Sequence, residues 1–254
     1  MGTKIKIALP NGHLQEATSR LLKMAGLAVK GYDKGTRDYR PVFEAEDITA
    51  KVFRPQEIPL VVAEGYYDLG ISGQDWLLES RCESNVEDML DLGLGRVDVV
   101  LAVPAAWDKV NKAEDLFQMP LDNIRIWTEY INLTRDFVFK KTNVEPKVRS
   151  PWEGLGKGSW SKICLFMSFG VTEAKPPEDA EAIIDNTSTG ATLRANGLKI
   201  IDKVLEGSTA RLIANRLALQ HPEKGPAIES FASRLRPVVP TGRRRGPSPT
   251  FGHI

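Results

Sequence analysis

Cysteine is scarce in this chain, with two in 254 residues. Cys82 and Cys164 lie far apart and match no metal-ligand spacing, so neither a disulfide framework nor a zinc cage is supported, and two reduced thiols are expected. Long apolar runs are missing too. No segment approaches the roughly 18 to 20 apolar residues of a membrane span, and the opening MGTKIKIALPNG lacks the apolar core of a secretion signal. A soluble protein of the cytoplasm, with no membrane partner, is the expectation. Nor is there an excess of one charge. Lys plus Arg number 34 against 33 Asp plus Glu, a balance that gives no global field for nucleic acid.

What the chain does have is enough apolar content, 42%, to bury the core of one large or two smaller α/β domains. KIKIALP (4–10) alternates and reads as a strand feeding the turn PNG, and HLQEATSRLLKMAG follows with helical spacing up to Gly26. After a polar, less periodic stretch, residues 58–65 read as a helix, 68–72 as a strand, and a second helix starts at 74. RVDVVLAVP (96–104) and NIRIWTEY read as strands, with NLTRDFVFKKT a helix behind the latter. AEAIIDN is a strand, TLRANGLKIIDKVL is read as helical at least in part, and ARLIANRLAL as a strand running into a helix. Strands alternating with helices imply a mainly parallel sheet, whose ligands bind beyond the carboxyl ends of the strands. Four turns fall there: PNGHL, SGQD, TEYINLTR and DNTSTGATLR. The segment 150–168, rich in Gly, Ser and Trp, reads as a loop insertion. The Arg-rich end, with Arg234, Arg236, Arg243, Arg244 and Arg245, reads as disordered rather than as an RNA-binding arm.

The most informative stretch is AIIDNTSTGATLRANG (182–197). Small and hydroxylated residues around a glycine, between a strand and a helix, let backbone approach an anion closely. Free N–H groups and the hydroxyls of Thr187, Ser188, Thr189 and Thr192, with Gly190 and Ala191 between them, suit phosphate oxygens. Asp185 at the strand end suits ribose hydroxyls. Arg194 either neutralises the phosphate or covers the helix surface. An ordinary capped turn is the plain alternative. A Walker motif is excluded, because GATLRANG lacks the GK[ST] ending.

IIDNTSTGATLRANGL closely resembles the phosphoribosyl-pyrophosphate loop of ATP phosphoribosyltransferases. IALPNGHLQEA, DYRP, RPQEIP, DLGISGQDWLLE, LGLGRVDVVLAVP, IWTEYINLTRDF and FGVTEAKPPEDAEAIID match that family in order, covering most of residues 4–222. The resemblance implies an α/β, two-lobed fold similar to type II periplasmic binding proteins, with the active site in the interlobe cleft. It implies transfer of phosphoribosyl from phosphoribosyl pyrophosphate to N1 of ATP with Mg²⁺ assistance, the first step of histidine biosynthesis, and a homo-oligomer. Lobe one is expected at 1–97 with a return at 204–222, lobe two at 98–203, and a divergent, disordered tail at 223–254.

The resemblance also carries roles. Asp185 and residues 187–192 would grip the ribose and 5-phosphate, with no covalent nucleophile or general base. Arg96, Arg135 and Arg54 are candidates for polyphosphate contacts, each also readable as a surface ion-pair partner. Asp68 and Asp75 bracket LGISG, where Gly73 ends a turn suited to nucleotide; Asp68 reads equally as an anchor of that turn. Glu173 would bind ribose hydroxyls or Mg²⁺, or pair with Lys175.

The first turn departs from the family's usual PKGRL. Asn11, Gly12 and His13 replace two cations facing the phosphates with a neutral amide and a partly charged imidazole. A lone histidine is also commonly structural or exposed. After His221 too little sequence follows for a histidine-binding regulatory domain, so a catalytic core without histidine inhibition of its own is expected. Two other readings stand beside the transferase: a ligand-binding protein of the same shape that performs no reaction, and a degenerate or regulatory relative.

Overall fold

The computed structural model describes residues 5–36, 38–44, 48–149 and 161–239. The chain divides into two compact units. Met1–Gln74, Cys82–Gly95 and Thr209–Ile254 contribute to one, and Asp75–Arg81 and Arg96–Ser208 to the other.

The first unit is built on a seven-stranded sheet. With strands numbered along the chain, it holds β1 (Ile5–Pro10), β2 (Val29–Lys30), β3 (Val42–Phe43), β4 (Ile48–Phe53), β5 (Leu69–Gly73), β6 (Val86–Asp91) and β13 (Ala210–Asn215). Their order is β2-β3-β4-β1-β5-β13-β6. β1 pairs in parallel with β4 and β5, while β13 runs antiparallel to β5 and β6. Ile5, Ile7 and Leu9 alternate with Lys6 along β1 and enter the core, the period of two expected of a strand. Helix α1 (Gln15–Met24) adds Leu21 and Leu22 to the same core. Helix α2 (Ile58–Ala63) sits close on β5, where a Cβ at Gly70 would fall 2.5 Å from Ile58 Cγ2. Only glycine admits the helix at that spacing.

Two expectations are corrected here. ITAKVF, within the stretch read as polar and less periodic, is β4, a full partner of β1; its buried Ala50 and Val52 alternate with more exposed neighbours. The tail expected from 223 is ordered structure as far as it is described. After α7 (Arg216–Gln220), helix α8 (Lys224–Leu235) buries Ile228, Phe231, Ala232 and Leu235 in the first unit's core. Phe231 meets Phe43 edge-on at 6.2 Å between centroids. The i, i+3, i+4, i+7 spacing of these four residues is helical. Residues 240–254, with Arg243, Arg244 and Arg245, lie outside the described residues.

The second unit has six strands: β7 (Val97–Pro104), β8 (Ile124–Thr128), β9 (Lys147–Arg149), β10 (Ile163–Met167), β11 (Ala182–Thr187) and β12 (Leu198–Ser208), in the order β12-β7-β11-β8-β10-β9. β11, β8, β10 and β9 form a parallel block, and β7 is antiparallel to both β11 and β12. Helices α3 (Gln74–Ser80), α4 (Ala113–Phe117) and α5 (Ile131–Thr142) supply Trp76, Leu116, Phe137 and Val138 to its core.

TLRANGLKIIDKVL, expected to be helical at least in part, is helical in the short α6 (Ala191–Ala195) and then extended in the eleven-residue strand β12. Three register shifts interrupt its pairing with β7. The shift between Ile200 and Asp202 leaves Leu198 and Ile201 both buried, an i, i+3 spacing that imitates a helix. Within the Gly- and Trp-rich stretch, 163–167 is the strand β10, and 150–160 lie outside the described residues.

Candidate functional site

In the second unit, Met167 and Ile184 both pair with Thr128. The residues that follow, Ser168, Asp185 and Glu129, therefore leave the parallel block at one level, its carboxyl edge. Glu173 follows in the turn after β10. The effect on Asp185 is marked. Burial raises its carboxyl to a pKa of about 7; its hydrogen bond from the Asn186 N–H pulls the other way, and the charges of Glu129 and Glu173 add to the rise. Glu129 and Glu173 are thus close enough to act on Asp185, which is itself largely desolvated. Such an arrangement disfavours ionisation unless hydroxyl donors or a cation arrive.

The loop after Asp185 is held by its own hydroxyls. Thr187 Oγ1 accepts the Gly190 N–H at 2.8 Å, and Thr189 Oγ1 accepts the Ala191 N–H at 3.3 Å. Gly190 has φ +70°, and a Cβ there would lie 2.9 Å from Arg194 Nη1. The left-handed backbone favours glycine there, while the Arg194 guanidinium, the end of an exposed flexible side chain, could move aside. Ser188, Thr189, Ala191 and Thr192 are exposed. Arg96 joins this edge, since Thr187 pairs with Asp98 at the start of β7 and the Arg96 guanidinium lies over Gly207 at 3.3 Å from its ideal Cβ position. Arg135 is committed elsewhere: its Nε donates to Glu145 Oε1 at 2.7 Å, and its Nη2 bonds the same oxygen. Of the two readings for Arg135, the surface ion pair is the one this structure displays, with both side chains about half exposed.

Behind the edge lies a buried network that sequence reasoning missed. Tyr130 is fully buried; its hydroxyl donates to Asp75 Oδ2 at 2.6 Å and accepts from Asn186 Nδ2 at 2.8 Å. Asp75 Oδ1 accepts from Ser208 Oγ at 2.6 Å, and Trp76 stacks on Tyr130 with centroids 4.2 Å apart. Glu129 was also missed. The available signal was its place in TEYINLTR, a turn already singled out at a strand end.

In the first unit the carboxyl edge of β4, β1 and β5 gathers another set. The registers put Arg54, Asn11 and Gly73 at one level. The Asn11 N–H donates to the Phe53 carbonyl at 2.9 Å, and the buried Tyr32 hydroxyl donates to the Pro10 carbonyl. Gly12 has φ +68°, and Gly12, His13 and Arg54 are exposed. Asp68 is not among them. It precedes β5 at the opposite, amino end, about 16 Å from Gly73 along five residues of strand. Its Oδ2 accepts the Lys6 N–H at 2.8 Å and its Oδ1 accepts Lys224 Nζ at 2.7 Å. Of the two readings for Asp68, the anchor is the one with partners.

Among the described residues no group of three or more His, Cys, Asp or Glu side chains is arranged to hold a metal ion. Among them also no helix is long and apolar enough to cross a membrane. Cys82 and Cys164 are buried and form no disulfide.

Loops at the carboxyl ends of parallel strands are where proteins of the α/β class bind their ligands. The comparisons with known proteins specify the class. The family model for ATP phosphoribosyltransferase matches residues 54–237. The ATP phosphoribosyltransferase of Thermodesulfovibrio yellowstonii is 34% identical over 237 residues, covering 91% of this chain and 71% of that protein. That of Koribacter versatilis is 35% identical over 246 residues, covering 96% and 75%. Among solved structures, the ATP phosphoribosyl transferase (HisG:HisZ) complex from Thermotoga maritima aligns with TM-score 0.68 at 24% identity, covering 92% of this chain and 98% of that one. The alkanesulfonate-binding protein SsuA from Xanthomonas axonopodis pv. citri aligns with TM-score 0.52 at 12% identity, covering 92% and 72%, and shares the fold alone.

The chain belongs to the ATP phosphoribosyltransferase family, on a two-lobed α/β fold of the type II periplasmic-binding-protein class. Its activity is that of a pentosyltransferase: phosphoribosyl passes from phosphoribosyl pyrophosphate to N1 of ATP, releasing pyrophosphate, the first step of histidine biosynthesis.

Proposed function

We propose that the second unit's carboxyl edge is the phosphoribosyl-pyrophosphate site. The observation that carries this reading is the desolvated Asp185 beside Glu129 and Glu173, next to a loop whose Thr187, Ser188, Thr189, Gly190, Ala191 and Thr192 present hydroxyls and backbone around a left-handed glycine. Asp185 accepts the ribose hydroxyls, and the loop takes the 5-phosphate. Arg96, exposed at the same edge, serves the leaving pyrophosphate. Asn11, Gly12, His13, Gly73 and Arg54, together at the first unit's carboxyl edge, are the candidates for ATP and polyphosphate contacts.

The reaction asks for little covalent help. The bond from C1 of the ribose to the pyrophosphate oxygen breaks, N1 of the adenine bonds to C1, and the electron pair leaves with pyrophosphate. What the protein supplies is alignment of N1 with C1 and a fixed environment for charge developing on ribose and leaving group. Neither nucleophile nor general base is assigned.

Carboxyls that repel one another fit a divalent cation that arrives bound to substrate phosphates better than a resident ion, in keeping with the way Mg²⁺ is ordinarily held by one or two carboxylates plus phosphate oxygens. Glu173 is the candidate carboxylate for Mg²⁺. When bound, that ion would offset the negative charge gathering on the departing pyrophosphate. The working form is a homo-oligomer in the cytoplasm, with ATP and phosphoribosyl pyrophosphate as its ligands and no nucleic acid.

The test is pyrophosphate release measured with each substrate alone and with both. Release that needs both substrates and Mg²⁺, with phosphoribosyl-ATP as product, supports the reading. Release from phosphoribosyl pyrophosphate alone, or none with both present, contradicts it.

A further inference from the structure

The phenol of Tyr130 carries one proton, and its surroundings decide where that proton goes. Its neighbour Asp75 is buried, accepts the Ser208 hydroxyl at 2.6 Å and sits 2.6 Å from the Tyr130 oxygen. A carboxylate can only accept, so the Tyr130 proton points at Asp75 Oδ2. Burial first, then the Asp75 charge, push the phenol's pKa well above its ordinary value, which keeps that proton in place. The oxygen's remaining capacity is acceptance, and the Asn186 amide N–H fills it at 2.8 Å. The amide of Asn186 is thereby oriented, nitrogen toward Tyr130 and oxygen away from it.

Asn186 is the residue after Asp185, and its backbone N–H donates to Asp185 Oδ1 at 2.7 Å. The peptide between them therefore lies between a side chain clamped from below and a carboxylate held at the edge. The clamp itself is rigid: the Tyr130 N–H donates to Thr128 Oγ1 at 2.8 Å, Trp76 stacks on the ring, and the Asp75 N–H donates back to Ser208 Oγ at 2.9 Å.

We propose that Tyr130 is a positioning residue for the transferase: through Asn186 it holds the Asp185 carboxylate and the start of the 187–192 loop in the geometry that receives the phosphoribosyl group. The inference rests on the reading of Asp185 given above. Tyr130 touches no substrate in this account and takes no part in proton transfer. Its hydroxyl ties the turn after β8 to Asn186, near the end of β11.

Tyr130→Phe keeps the ring and the Trp76 stack and removes only the hydroxyl. It should raise KM for phosphoribosyl pyrophosphate about tenfold, with KM for ATP little changed; the ring and loop otherwise stay in place, so the loss is in binding common to ground and transition states. Asn186→Ala, at a half-buried position that does not threaten the fold, should raise the same KM by a similar factor. The double variant should be no worse than the worse single, because both changes cut one chain of contacts. Additive losses, or a wild-type KM in either single variant, would overturn the coupling. Asp185→Asn, measured alongside, separates the two ideas. If it raises this KM while Tyr130→Phe and Asn186→Ala do not, only the positioning inference fails. A wild-type KM in Asp185→Asn itself removes the site reading and the inference with it.

Discussion

At the carboxyl edge of the first unit, the turn after β1 carries Asn11, Gly12 and His13 on a scaffold of backbone bonds, with the last two side-chain positions open to solvent. At the carboxyl edge of the second unit, Asp185 is desolvated and feels the charges of Glu129 and Glu173, backed by the Tyr130 network and a loop tied by its own threonines. Both edges use the same architectural opportunity, parallel strands ending side by side. They differ in commitment. Substituting an exposed turn residue such as His13 costs the fold little. A desolvated carboxyl held near other acids is a standing cost, and such costs are retained where the group works. Under the proposed reading the second edge is where the function is fixed, and the first is where it is adjusted.

The difference can be broken most sharply at Asp185. Asp185→Ala should lower kcat/KM for phosphoribosyl pyrophosphate by at least about tenfold, on the order of 1.4 kcal/mol, in steady-state assays of a variant with wild-type circular dichroism. Next comes the acid that lies at neither edge. Asp68→Ala leaves the Lys6 N–H and Lys224 without their acceptor, and should cost about 1–3 kcal/mol of stability in urea unfolding, with KM values unchanged. A kinetic defect at wild-type stability would return Asp68 to the site. Gly190→Ala imposes a left-handed backbone on alanine; a loss of about 1–2 kcal/mol, with weaker phosphoribosyl-pyrophosphate binding by calorimetry, is expected.

The pH dependence of stability sharpens the comparison further. Asp185 and Glu79 are each raised to about 7, in both cases chiefly by burial. Glu79 accepts the Asn132 and Leu133 N–H groups at the start of α5. With folded pKa values above the unfolded range, the native chain holds more protons than the unfolded one from about pH 4 to pH 7. Stability contributed by these two groups should therefore fall as pH rises through that window and level off above it. Asp185→Asn should flatten the slope in urea titrations at successive pH values; an unchanged slope would mean the carboxyl is not desolvated. The smallest effect belongs to the first edge. His13→Arg should leave stability within about 0.5 kcal/mol and tighten substrate binding modestly, an effect that salt should erase.

The sequence made the carboxyl-edge turns legible because strand, small residues and helix follow one another locally at PNGHL and DNTSTGATLR. It could not rank acids of the same type. Asp68 and Asp185 both sit at strand ends, but one precedes its strand and the other lies near the end of its own, and only the pairing of β5 with β1 and β13 shows which end matters. Arg135 looked available for phosphate because Glu145, its partner across the end of α5, is ten residues away. Tyr130 and Asn186 are 56 residues apart, and nothing local announces their bond. In TLRANGLKIIDKVL the helix is confined to α6, and the boundary with β12 is hidden because the strand's bulges shift its burial period; α8 reads as tail because the Pro- and Arg-rich sequence after it obscures a four-residue apolar stripe.

The central claim is that phosphoribosyl pyrophosphate is held at the second unit's edge. Amide hydrogen exchange, with and without phosphoribosyl pyrophosphate and Mg²⁺, tests it most directly. Slowed exchange concentrated in residues 186–194, with Asp185→Ala abolishing it, is the predicted result. Calorimetric binding of the ligand with unchanged exchange across those residues would contradict the account.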